Sequence, residues 1–174
     1  MKDSQEKLLF LDIDGVLNDT GFNVDWCHRF KRGVPMGFNP RSMEALNQVI
    51  EATQCELVLS SSWRLDIPDN ITLEGFDFLL KTHGCRKGVV GVTPISLRKT
   101  PPPTPTPSNY NSRTFEIQEY LDTHKHARYA VVDDDFIDIP NFVQTNPDVG
   151  LTFTDAAMLI TILNSKEQQT DEIF

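Results

Sequence analysis

The chain alternates short apolar runs with stretches of helical periodicity, and the first run is the most telling. Leu8 to Leu11 are four consecutive apolar side chains closed by Asp12-Ile13-Asp14-Gly15, which reads as a buried strand stopped at a glycine. Gly21, Gly33, Pro35 and Gly37 then break Asn18 to Phe38 into a long irregular excursion. Asn39-Pro40 opens a helix, with asparagine as N-cap, proline in the first turn and Met43, Leu46, Val49 and Ile50 as its apolar stripe. Glu56 to Ser60 predicts a second strand. Leu73, Phe76, Leu79 and Leu80 predict a helix over 72–81, ending near Gly84. Residues 94–108 carry the run Pro101-Pro102-Pro103-Thr104-Pro105-Thr106-Pro107 and predict extended polyproline or disorder. Asn111 or Ser112 then caps a helix striped by Ile117, Tyr120 and Leu121. Arg128 to Val132 predict a third strand and Phe142-Val143 a short further one. Thr154 is expected to cap a last helix bearing Ala156, Leu159, Ile160 and Leu163. Strands alternating with helices predict an α/β fold, a mainly parallel sheet with helices on both faces. One domain over 8–163 is expected, flanked by polar tails at 1–7 and 164–174.

Three of these strands finish in polar clusters: Asp12 and Asp14, Ser60-Ser61-Ser62, and Asp133-Asp134-Asp135. In open α/β sheets ligands bind at the carboxyl edge of the strands. Strand geometry sends Asp12 and Asp14 to one side, and two converging carboxylates need a cation or a shared proton. If the three strands are neighbours, all three clusters face one crevice. Arg113, at a helix start, can supply a fixed positive charge there, and helix amino termini favour phosphate.

Composition narrows the class. A chain of 174 residues, 39% hydrophobic and 24% charged, suits one soluble domain. The polar, mixed-charge start is unlike a secretory signal, and no apolar stretch reaches the length that spans a bilayer. Cys27, Cys55 and Cys85 are odd in number and lack Cys-x-x-Cys spacing, which points to a reducing, cytoplasmic setting. The net charge of −9 argues against a general nucleic-acid binder. Yet Phe78 to Phe115 contains no acid and six cations, Lys81, Arg86, Lys87, Arg98, Lys99 and Arg113, leaving −15 for the rest. That stretch is either a solvated loop region or a surface for an anionic substrate.

Phe10-Leu11-Asp12-Ile13-Asp14-Gly15-Val16-Leu17 resembles motif I of the haloacid-dehalogenase (HAD) superfamily of phosphohydrolases. Leu57-Val58-Leu59-Ser60 resembles its motif II, Val131-Val132-Asp133-Asp134 with Asp138 its acidic motif IV, and Arg113 stands where motif III has a Lys or Arg, a role Lys87 or Lys99 could also fill. Ser60-Ser61-Ser62-Trp63-Arg64, the Arg-led helix and Gly150-Leu151-Thr152 are similar to a smaller HAD group associated with RNA-repair proteins. The resemblance covers Leu8 to Leu163. It implies a Rossmann-like three-layer sandwich in which Asp12 is the nucleophile and forms an aspartyl-phosphate. Asp14 would be the general acid and base. Magnesium would be held by Asp12, the Asp14 backbone carbonyl and Asp134, with Asp133 behind them. Ser60, Ser61 and Arg113 would bind the phosphoryl group, while Arg64 is either a substrate contact or half of an ion pair. Two negative charges about 4 Å apart repel by roughly 4 kcal/mol at an effective dielectric near 20, so metal and arginine are the least a carboxylate needs to attack a phosphate.

Only 45 residues separate Asp14 from Ser60, and 52 separate Ser60 from Arg113 with the proline run among them. Both intervals leave little room for the cap domains of the superfamily, so a minimal cap and an open site are expected. An open site suits a phosphorylated macromolecule, either a protein or a polynucleotide end, or a small phosphoester. Trp26, His28 and Phe30 are a candidate flap, and His83, His124 and His126 are expected at the surface. The alternative is a HAD-derived binding module whose proline segment engages an SH3-like partner. A phosphoacceptor receiver domain is a third reading, but it expects its aspartate on a middle strand, where this chain has serines.

Overall fold

The computed structural model describes residues 5–22, 37–65, 72–95, 112–125 and 127–165. Strands β1 (Lys7–Leu11), β2 (Glu56–Leu59), β3 (Val89–Val92), β4 (Arg128–Asp133) and β5 (Phe142–Gln144) form one sheet in the order β3-β2-β1-β4-β5. Every pairing is parallel. The helices are α1 (Pro40–Thr53), α2 (Leu73–Thr82), α3 (Ser112–Thr123) and α4 (Phe153–Asn164), with a 3-10 turn at Ser62–Leu65. This is the expected α/β Rossmann-like architecture.

Two apolar clusters show which face each helix covers. Leu9, Leu11, Leu57, Leu59, Ala130 and Val132 point to one side and pack with Leu46 of α1, Phe76 of α2 and Leu159 of α4. Leu8, Phe10, Val58 and Val131 point to the other and meet Ile117 and Leu121 of α3. A strand apolar on both faces belongs in the middle of a parallel sheet, and β1 sits there. Burial of these side chains, worth about 1.5–3 kcal/mol each, holds the three layers together.

The termini of the helices carry local signals. Asn39 caps α1, its side chain accepting from the Arg41 amide at 2.9 Å with Pro40 at the first turn. Thr152, not Thr154, caps α4, because Thr152 and Asp155 form a reciprocal capping box that seals the turn two residues earlier. Lys7 already belongs to β1 and Asn164 to α4, and their side chains hydrogen-bond at 2.8 Å, so the fold reaches slightly into both expected tails. Strand β3 and the 3-10 turn have no counterpart among the elements expected from the sequence. The candidate flap, the proline run and Arg98, Lys99 and His126 lie outside the described residues.

Candidate active site

The sheet positions the site through its register. Leu11 pairs with Leu59 on one side and Val132 on the other. The ladder continues one rung further: the Asp12 amide donates to Val132 O at 3.1 Å and the Ser60 amide to Leu11 O at 2.9 Å. Asp12, Ser60 and Asp133 therefore stand side by side at the carboxyl edge, on the α3 face. The first turn of α3 brings Arg113 to the same place, where its guanidinium pairs with Asp12 Oδ2 at 2.9 Å and with Asp133. The crevice lies at the centre of the sheet, where the chain order reverses between β1 and β4.

Asp134 reaches this cluster because of Gly15. The glycine has φ +68°, and a Cβ there would overlap the Asp134 carboxyl. Carboxylate oxygens of Asp12, Asp133 and Asp134 all fall within 4.8 Å of one another. Three carboxylates share this site with one guanidinium, and burial dominates their protonation. Burial drives the Asp12 carboxyl above its ordinary value against the pull of Arg113. Burial and the charge of Asp12 push Asp133 up to about 7. Burial, then Asp12 and Asp135, raise Asp134. For Arg113, burial works against the charge, but Asp12 and Asp133 outweigh it and raise the group.

The arrangement fits a hard divalent cation. Asp12 is 1% exposed, and its Oδ1 has no hydrogen-bond partner among the described residues. In the turn after it, the carbonyls of Ile13, Gly15, Val16 and Leu17 all accept hydrogen bonds; the Asp14 carbonyl accepts none among the described residues. Asp133 is already engaged, one oxygen accepting from the Asp135 amide at 2.9 Å and the other from Arg113. With Asp133 engaged, the carboxylates of Asp12 and Asp134 offer oxygen donors of the kind magnesium takes.

The other expected residues divide. Ser60 is buried at the strand end with its Oγ unpartnered among the described residues, aligned with Asp12. Ser61 is buried beside it, its hydroxyl close enough to favour the Asp12 carboxylate. Asp14 lies exposed, with Oδ1 accepting from Asn18 Nδ2 at 2.7 Å and Oδ2 from Trp63 Nε1 at 2.9 Å. Arg64 is buried, pairs with Glu116 of α3 and donates to the Ser61 carbonyl at 2.6 Å, which is the ion pair weighed as one of its two readings. Lys87 pairs with Glu56 at the opposite end of β2 and cannot replace Arg113. Lys81 and Arg86 pair with Asp77, Glu44 and Glu51, so the cations described in the basic stretch meet acids from elsewhere. His83 and His124 are half-buried at the surface, packed against Phe38 and Tyr120. Asn18, Trp63 and Gly15 were not singled out for a role by the sequence pattern. Asn18 sits four residues beyond Asp14 and Trp63 follows the serines, which were the available signals.

A family model described as the HAD domain in Swiss Army Knife RNA repair proteins matches residues 8–156. No curated protein and no solved structure gives a match.

Proposed function

Because the chain belongs to the HAD domains of Swiss Army Knife RNA repair proteins, and so to a superfamily of phosphatase-type hydrolases, we propose that it is a magnesium-dependent phosphomonoesterase acting through Asp12. The observation that carries this reading is the gathering of Asp12, Asp134, Arg113 and the buried Ser60 hydroxyl, unpartnered among the described residues, at one sheet edge. The Asp12 carboxylate attacks phosphorus while Asp14 gives its proton to the leaving oxygen, leaving a phosphoryl group on Asp12. Asp14, now a carboxylate, takes a proton from water, whose oxygen attacks phosphorus; the bond to Asp12 breaks and phosphate departs. Ser60 donates to the phosphoryl oxygens, Arg113 neutralises them and holds Asp12 in place, and Asp133 fixes Arg113. Bound at Asp12, Asp134 and the Asp14 carbonyl, magnesium would offset the negative charge that the carboxylate and phosphate bring together.

The substrate we assign is a terminal phosphate of a polynucleotide, supported by the RNA-repair context of the family and by the short intervals available for a cap. A phosphoprotein is the second macromolecular reading. The binding-module alternative is disfavoured by the intact geometry, since a scaffold has no need of a buried Asp12 paired with Arg113. Hydrolysis of p-nitrophenyl phosphate is expected with magnesium, and loss of it in chelator and in Asp12→Asn. A rate in Asp12→Asn matching the parent would remove Asp12 from the reaction. Rates on 5′- and 3′-phosphorylated oligonucleotides above those on phosphopeptides are expected; the reverse order would move the substrate to protein.

A further inference from the structure

We propose that Trp63 and Asn18 are positioning residues that clamp Asp14, an assignment that rests on the phosphatase reading above. Asp14 sits exposed at the tip of the turn after β1, where a carboxylate is free to sample several rotamers. Here each of its oxygens accepts one N–H: Oδ1 from Asn18 Nδ2 at 2.7 Å and Oδ2 from Trp63 Nε1 at 2.9 Å. The donors come from different segments, Asn18 from the same turn and Trp63 from the 3-10 turn after β2.

The indole is itself seated. Its ring lies edge-on to Phe76 at 6.1 Å and tilted to Phe38 at 5.9 Å. Phe38 in turn packs on His83 at 5.0 Å. A surface hydrogen bond between two mobile side chains contributes little, because both lose rotamer freedom in making it. Trp63 has lost that freedom to the aromatic packing already, so its N–H is a fixed point against which the Asp14 carboxylate is aimed. Bridging from β1 to β2, the clamp couples the acid–base residue to the core, while Arg113 couples the nucleophile to α3.

Positioning has a kinetic signature that a merely structural role lacks. Proton donation matters when the leaving oxygen is a poor leaving group and hardly at all when it departs as nitrophenolate. Trp63→Phe keeps a ring against Phe38 and Phe76 but removes the donor. In that variant kcat/KM is expected to fall about tenfold or more for an alkyl phosphate and only about threefold for p-nitrophenyl phosphate, with KM little changed. Asn18→Ala should show the same split. Equal losses on both esters, or losses confined to KM, overturn the role. A second readout does not depend on turnover. The chain has two tryptophans, so the Trp63 indole N–H resonance is identified by its disappearance in Trp63→Phe. In Asp14→Ala it is expected to move upfield and to exchange faster with solvent; an unmoved resonance overturns the contact. A parent protein inactive on both esters would sink the phosphatase reading and the role with it, while the indole resonance still decides whether the clamp exists.

Discussion

Burial disfavours the charges of Asp12, Asp133 and Asp134, with a neighbouring carboxylate adding to it at Asp133 and Asp134, and this makes the site measurable without turnover. Asp133 is held at about 7 where its ordinary value is 3.8. Between those values the folded protein keeps a proton that the unfolded chain has lost, so the folded state binds more protons and stability falls as pH rises from about 4 to about 7. Asp12 and Asp134 shift in the same direction. Denaturant titrations in chelator are expected to show that fall, with a smaller one in Asp133→Asn and recovery on adding magnesium. A wild-type slope equal to that of the variant would contradict it. Gly15 makes a second test at this scale. Gly15→Ala places a side chain at φ +68° and against the Asp134 carboxyl. Isothermal titration should find magnesium binding weakened, and unfolding should show a cost of at least about 1–2 kcal/mol; parent-like binding would mean that Asp134 does not serve the cation.

Among the elements, α3 does most to complete the site, since its first turn supplies Arg113 and its next residue on that face, Glu116, holds Arg64. Both members of the Arg64–Glu116 pair are buried. Breaking it from one side leaves an uncompensated charge, so Glu116→Gln is expected to lower stability by about 3–5 kcal/mol. Replacing both partners by apolar residues should recover much of that; a double variant as unstable as the single one would contradict this. How far such elements could be read beforehand varied with the range of the forces that make them. Asn39-Pro40 is a local signal and α1 begins there. The Thr152-x-x-Asp155 spacing was equally local, and reading Thr154 as the cap passed over it. Strand β3 is only Val89-Val90-Gly91-Val92, and its interior glycine hides it; a Cβ at Gly91 would have to displace the Tyr120 hydroxyl. Arg64 could not be assigned in advance, because Glu116 lies 52 residues away in the chain.

For the molecule as a whole, the apolar-then-acidic strands announced a site at the sheet edge, but only the strand order β3-β2-β1-β4-β5 brings them together. Asp12, Ser60 and Asp133 share one rung because β1 is flanked by β2 and β4. That adjacency has no one-dimensional signature, and the clamp on Asp14 only the faint one of Asn18 and Trp63 lying near the acidic turn and the serines, whereas the residue types and their places at strand ends do. The central claim is that this edge carries out covalent phosphoryl transfer to Asp12. Acid-quenching the enzyme during turnover of a phosphate ester, then locating the modification by peptide mass spectrometry, tests it directly. A phosphoryl group on Asp12, formed with magnesium and absent in chelator, is the predicted result; label on another residue, or full turnover by Asp12→Asn, would contradict it.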